Sequence, residues 1–295
     1  MEHAAAHEGT GEGKRATLYV VATPIGNLGD ITRRALEVLG SVDAVAAEDT
    51  RVTGQLLAHY GISKRLIAVH EHNERRVVNQ VLALLASGRS LALTCDAGTP
   101  GISDPGAVVV AAVRAAGFPV TPVPGPNAAI SALSVSGFTA PHFLFYGFLP
   151  AKAAARRRVL ASLVRLPYTL VFHEAPHRVE ECVADLRAAL GEGRRIVFAR
   201  ELTKLFESVQ SCTLAEAPAW LAPDPKRRKG EFVLIVEGAG PEKEGGGGSA
   251  QRALAVLLDE LPLKQAVNLA AKIGGGKKNE LYQLALELKK RGERR

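Results

Sequence analysis

Three loops carry the residue types that could hold a small polar molecule. The first is Thr23-Pro24-Ile25-Gly26-Asn27-Leu28-Gly29-Asp30-Ile31-Thr32. The second is Asp96-Ala97-Gly98-Thr99-Pro100-Gly101-Ile102-Ser103-Asp104-Pro105-Gly106. The third is Pro124-Gly125-Pro126-Asn127-Ala128-Ala129-Ile130-Ser131-Ala132. Loops beyond strand ends are where open α/β sheets bind ligands. The first loop is not a Rossmann fingerprint, because G-x-G-x-x-G is missing, and not a P-loop, because G-x4-G-K-S/T is missing. Its glycines let backbone approach a ligand, and read alone it is a strand-to-helix turn with Asp30 as helix N-cap. The second loop packs three glycines, two prolines and two aspartates into eleven residues. Asp96 can accept hydrogen bonds from a ligand's amino or hydroxyl groups. Asp104, followed by Pro105, is expected to cap a helix with proline at its first position. The third loop enters a helix whose first residues are small, which leaves room for a flat ligand near free N–H groups. Cys95 has no cationic neighbour in sequence to activate it as a nucleophile. His70 and His72 flank Glu71, but no further ligand cluster accompanies them, so no metal site is expected.

These loops need a scaffold. Apolar runs at 18–22, 42–47 and 91–94 have strand character, and 31–39, 77–85 and 106–116 have helical spacing. The βαβα alternation predicts an α/β domain with a largely parallel sheet over 17–123. Thr121-Pro122-Val123-Pro124-Gly125-Pro126 has hinge composition. A second α/β domain is expected over 124–240, with strands at 143–148, 169–173, 195–199 and 232–236 and helices at 154–163, 178–190 and 214–221. Residues 1–16 have the composition of a disordered leader and 241–249 that of a Gly-rich linker. In 250–295, leucines at 254, 257, 258 and 261 and apolar residues at 281, 284, 285 and 288 keep helical spacing on either side of Gly274-Gly275-Gly276. The pattern is that of a small helical unit resembling a helix-turn-helix.

The 295 residues are 47% hydrophobic and 23% charged, with a net charge of +7. That composition belongs to globular domains, and the basic balance favours a polyanionic partner. The stretch 250–295 holds ten Lys/Arg against five Asp/Glu, so most of the excess charge sits there. Three widely spaced cysteines suggest neither a disulfide framework nor a metal knuckle. With no signal pattern and no long apolar run, a cytoplasmic protein without a membrane span is expected.

Leu18 to Leu28, Ala47-Glu48-Asp49-Thr50-Arg51, Asp96 to Gly106, Pro124 to Ser131, Gly147-Phe148-Leu149-Pro150, Ala199-Arg200-Glu201-Leu202-Thr203-Lys204 and the nine residues from Gly230 to Gly238 together resemble, in order, the signatures of the ribosomal RNA small subunit methyltransferase I group of the tetrapyrrole-methylase superfamily. The resemblance runs from about Leu18 to Leu288. It implies two α/β domains with S-adenosyl-L-methionine in the cleft between them, plus the C-terminal helical unit. It implies a homodimer that methylates the 2′-hydroxyl of a cytidine in the decoding region of 16S rRNA in the 30S subunit. By position, Pro24 and Ile25 match the first cofactor loop, Asp96, Ala97 and Thr99 the second, and Asn127 and Ala128 the third. His173, Ala199 and Glu231 fall where strands of the second domain meet the cofactor. Cys95 stands where a serine is expected.

Such a transfer needs positioning and is helped by a base, since an alcohol is a weak nucleophile until its proton is withdrawn. Glu48 and Asp49 are the leading candidates, with His173, Glu174 and Glu201 behind them. RNA calls for cations: Arg51, Arg156, Arg157, Arg178, Lys204, Lys277 and Lys278 are the expected substrate contacts. Two rival functions remain. A tetrapyrrole methyltransferase would have little use for the basic surface. A non-catalytic RNA-binding assembly protein would have little use for the loop from Asp96 to Gly106.

Overall fold

The computed structural model describes residues 15–70, 73–240, 248–274 and 277–292. The expected leader up to residue 14, the linker residues 241–247, Glu71 and His72 of the paired histidines, and Gly275 and Gly276 of the glycine turn lie outside the described residues. The described residues up to Ser162, with Thr169–Glu237, form one compact unit. Leu163–Tyr168 and the described residues from Gly238 onward form a second.

The first half of the larger unit is a five-stranded, all-parallel sheet. In chain order its strands are β1 (Leu18–Val21), β2 (Ala44–Ala47), β3 (Arg65–Ala68), β4 (Leu91–Thr94) and β5 (Val120–Val123), and their spatial order is β3-β2-β4-β1-β5. Helices α1 (Arg33–Ser41), α2 (Thr50–His59), α3 (Glu74–Ala86) and α4 (Ala107–Ala115) connect them. A parallel sheet is covered on both faces, so its central strands are continuous apolar runs. Within β4, Leu91 and Leu93 pack in a cluster with Val77, Val81 and Leu85 of α3 and Val109 and Val113 of α4. Ala92, pointing the other way, packs with Ala35 and Leu39 of α1 and Leu57 of α2.

The second half begins with α5 (Ala128–Ser134). Its sheet contains β6 (Phe143–Phe148), β7 (Thr169–Glu174), β8 (Arg195–Arg200), β9 (Ser208–Thr213) and β10 (Phe232–Val236), in the order β6-β7-β10-β8-β9. Only β6 and β7 are parallel; the other pairs are antiparallel. Helices α6 (Ala153–Leu163), α7 (Val179–Leu190) and α8 (Ala217–Leu221) belong to this half. The smaller unit contains α9 (Gly248–Glu260), α10 (Leu263–Gly274) and α11 (Lys278–Gly292), which share a core of Ala250, Leu254, Ala266, Val267, Ala270, Leu281 and Ala285. No helix among the described residues is long and apolar enough to cross a membrane.

Several expectations need correction. The hinge expected at 121–126 is shorter, because Thr121, Pro122 and Val123 lie in β5, paired with β1. Proline is tolerated there because β5 is an edge strand, where its missing N–H breaks no ladder. Helix α8 begins three residues late, with Pro218 in its first turn. Asp30 caps no α-helix. It ends a short 3-10 turn, Leu28–Asp30, which Asn27 closes by accepting from the Gly29 amide, and Thr32 caps α1 by accepting from Ala35 N at 3.1 Å.

Asp104 does not cap α4 either. The cap position falls on Gly106, at φ 131°, and Glu74 of α3 reaches across so that Oε1 accepts from Gly106 N at 2.8 Å and Val108 N at 3.0 Å. The loop from Asp96 to Gly106 is therefore anchored from a neighbouring helix. Glu74→Ala leaves two helix-start donors without this partner. The expected loss is about 1 kcal/mol of stability, read as a lower urea midpoint; an unchanged midpoint would show that the cap contributes nothing.

Candidate active site

The three loops are laced together by backbone. Thr23 N donates to Gly98 O at 2.8 Å and Gly98 N returns to Thr23 O at 3.0 Å. Gly98 sits at φ 88°, where a side chain would be strained. Thr23 Oγ1 donates to Cys95 O at 3.1 Å, and Thr99 Oγ1 donates to Pro126 O at 3.2 Å. On the second sheet, β10 runs between β7 and β8, and Val233 is paired with His173 on one side and Ala199 on the other. The three residues stand abreast.

Loops and strand ends enclose one cavity of about 330 Å³. Ile25, Ala97, Thr99, Asn127, Ala128, His173, Ala199 and Glu231, all expected at a cofactor, line it. Pro24 and Asp96, expected with them, line an adjoining cavity of about 350 Å³ that shares Ile25 and Ala97 as walls. Asp104, Phe148, Leu202 and Val233 also line the first cavity and were not anticipated. A signal for Asp104 was present in its glycine- and proline-rich loop, but a capping role explained the residue equally well.

Two residues lining the cavity, His173 and Glu174, carry a buried polar atom without a hydrogen-bond partner among the described residues. For His173 the atom is Nε2, and the ring meets Phe145 and Phe148 edge-on. Burial lowers its pKa, only partly opposed by Glu231, so the ring is neutral near pH 7. Across the cavity, burial raises the pKa of Asp104, with the Asp96 charge adding to it. Glu48 is raised as well, first by burial and then by Asp104, Asp96 and Asp49, although it accepts from Asp96 N at 3.3 Å. Asp49 is different. Its hydrogen bonds with the Arg51 side chain and backbone hold it at about 2, and it caps α2. Asp49 is therefore a structural carboxylate and a poor base; neither it nor Glu48 lines either cavity, and Glu48 reaches the second one only through its hydrogen bond with the Asp96 amide. Cys95 is buried with its thiol pushed far up, so it is not a nucleophile.

Residues 17–218 match the family described as Tetrapyrrole (Corrin/Porphyrin) Methylases. The chain belongs to that family. Residues 244–289 match a second description, the RsmI C-terminal HTH domain. The chain is 51% identical over 276 residues to the ribosomal RNA small subunit methyltransferase I of Escherichia coli O157:H7, a match that covers 94% of this chain and 96% of that one. It is 52% identical over 273 residues to the protein of that name from Pseudomonas aeruginosa, covering 92% and 97%. Among solved structures, a cobalt precorrin-4 methyltransferase superposes with a TM-score of 0.58 at 16% identity, covering 77% of this chain and 97% of that one. Uroporphyrin-III-C-methyltransferase from Thermus thermophilus gives 0.52 at 23% identity, covering 76% and 94%. These two likenesses concern the methylase fold alone.

In this methylase several basic residues expected at a substrate are internal fasteners. Arg156 is only 2% exposed in its side chain and bonds Asp185 Oδ2 at 2.7 Å and Ala151 O at 3.1 Å. It lies one turn before buried Leu160, on the inward stripe of α6. Arg157 is exposed but donates to the other oxygen of Asp185 at 2.7 Å. Arg178 donates to Leu149 O at 2.5 Å and pairs with Glu174 at 3.2 Å. Lys204 joins Glu201 at 3.1 Å and Glu231 at 2.9 Å. It crosses Gly26, where a Cβ would run into its Cγ, and Glu201 and Thr203 beside it have φ of 50° and 66°. Arg51 is exposed yet paired with Asp49, Lys277 is exposed and pairs with Glu280 at 3.7 Å, and Lys278 is exposed.

Arg156→Ala strips Asp185 of its buried partner. The expected cost is about 3 kcal/mol of folding stability, with RNA affinity at low temperature unchanged. A stable variant with weakened RNA binding would return Arg156 to the substrate surface.

Proposed function

We propose that this methylase transfers a methyl group from S-adenosylmethionine to the 2′-hydroxyl of a cytidine in the decoding region of 16S rRNA, acting as a homodimer on the 30S subunit. The observation that carries the proposal is the convergence of eight expected cofactor residues, drawn from six separate chain segments, on one cavity. Its size falls within the range of small-molecule sites. The similarity to ribosomal RNA methyltransferases over nearly the whole chain supports the substrate.

The cavity's chemistry fits the donor. Ala97, Gly98, Ala128 and Ala199 leave space against the backbone, His173 offers a buried atom in need of a partner, and Asp104 and Glu231 offer negative charge to a cationic ligand. Ile25, Ala97, Thr99, Asn127, Ala128, His173, Ala199 and Glu231 would hold it. S-adenosylmethionine supplies a methyl already activated on a sulfonium, so an oxygen nucleophile can take it while the sulfur leaves as a neutral thioether. Glu48 withdraws the 2′-hydroxyl proton and releases it to water. Its raised pKa makes it a better base than an ordinary glutamate, at the cost of being protonated earlier as pH falls.

Side-by-side assays with labelled donor and 30S subunits, naked 16S rRNA or a tetrapyrrole precursor test the substrate. Alkali-resistant label at one ribose in RNA is expected. Label in the macrocycle, or none anywhere despite donor binding, would leave fold and cofactor but remove the RNA activity. Glu48→Gln should lower kcat about 10²-fold and abolish an acid limb in kcat/KM that lies above the usual glutamate range. A retained limb would assign the base elsewhere.

The exposed lysines at the start of α11 are proposed to contact phosphate. Lys277→Glu with Lys278→Glu should weaken RNA binding and lower the salt slope by about 2 without changing donor affinity. An unaltered slope would remove this unit from the RNA surface.

A further inference from the structure

The second cavity has no role yet. One wall is the outward face of α2, where Val52, Gln55 and Leu56 lie at helical spacing; the other is the first loop, with Pro24, Ile25 and Leu28. Leu28 and Val52 are 41% and 40% exposed, apolar surfaces left open on a slot. The loop wall is held in place, for the Tyr60 hydroxyl donates to Leu28 O at 2.5 Å. Thr23, Thr53, Gln55 and Asp96 add polar side chains to the apolar lining, and the two threonine hydroxyls are already engaged, Thr23 with Cys95 O and Thr53 with Thr94. The Gln55 side chain has no hydrogen-bond partner among the described residues. Asp96 Oδ1 accepts from Asp49 N at 3.0 Å, which leaves Oδ2 without a partner there.

An acceptor for the methyl group must lie next to its donor, and this slot shares Ile25 and Ala97 with the proposed donor cavity. Apolar walls suit the faces of a flat heterocycle. A carboxylate oxygen accepts hydrogen bonds and cannot donate, and a carboxamide both accepts and donates. That combination fits the edge of cytosine, whose N4 amine donates and whose N3 and O2 accept. Uracil would set O4, an acceptor, against the carboxylate. Resting on the RNA methylation proposed above, we infer that the second cavity takes the cytosine base of the target nucleotide, lifted out of its stack, with Asp96 selecting cytosine over uracil and Gln55 positioning the ring.

The test uses the full chain and reconstituted 30S subunits with cytidine or uridine at the methylated position. Asp96→Asn keeps an oxygen for the Asp49 amide and replaces the other acceptor by a donor. The expected result is a fall of about tenfold or more in the cytidine-to-uridine ratio of kcat/KM, with donor affinity in calorimetry unchanged. Gln55→Ala, a substitution favourable to an exposed helix position, should lower kcat/KM on both subunits about tenfold at unchanged donor affinity. If the wild-type protein methylates RNA and both variants keep its kcat/KM and its ratio, the base-pocket assignment is overturned and the RNA activity stands. If the wild-type protein labels no RNA, both are overturned together.

Discussion

Thr23 and Gly98 exchange two backbone hydrogen bonds, and through them the loops after β1 and β4 become one surface. The exchange needs a residue that accepts φ 88° at Gly98 and a short side chain at Thr23 whose hydroxyl can reach Cys95 O. Thr99 then ties the same surface to the third loop at Pro126. Ile25 and Ala97, on either side of this lacing, are walls of both cavities. The two cavities are therefore framed by a few backbone contacts, with side chains adding chemistry to a frame already fixed.

Charge is divided by environment. Glu48, Asp49, Asp96 and Asp104 gather where the loops of the first sheet meet. Burial, with their mutual repulsion added to it, raises Glu48 and Asp104, while Arg51 neutralises Asp49. The arginines of the second half are mostly turned to internal use. Arg156 and Arg157 share Asp185, and Arg178 is held by Glu174 and Leu149. An isolated buried guanidinium would be costly, and these pairings are what make burial tolerable. A basic count in the sequence thus overstates the basic surface of this half, while Lys277 and Lys278 in the smaller unit remain exposed.

Legibility followed burial. The fully buried strands at 91–94 and 232–236 begin and end where their apolar runs do, and 143–148, which buries only Gly147, was legible instead from its run of aromatic and leucine residues. The edge strands β3, β5 and β9 and the helix α2 went unmarked. β3 buries a single residue and β9 none, so neither carries a dense apolar signal. The α4 cap was misassigned because its acceptor, Glu74, comes from a distant helix, whereas for α1 the acceptor is local and Thr32 takes the place expected of Asp30 two residues earlier.

The sequence by itself determined the α/β class, because apolar periodicity acts over a few neighbouring residues, and the methylase kinship, because the order of its motifs resembles that family's. Only the tertiary structure decided that His173, Val233 and Ala199 stand abreast, that Pro24 and Asp96 face a second cavity, and that Arg156 is interior. Strand register and burial depend on segments far apart in the chain, and a residue's type does not reveal which partner the fold will bring to it.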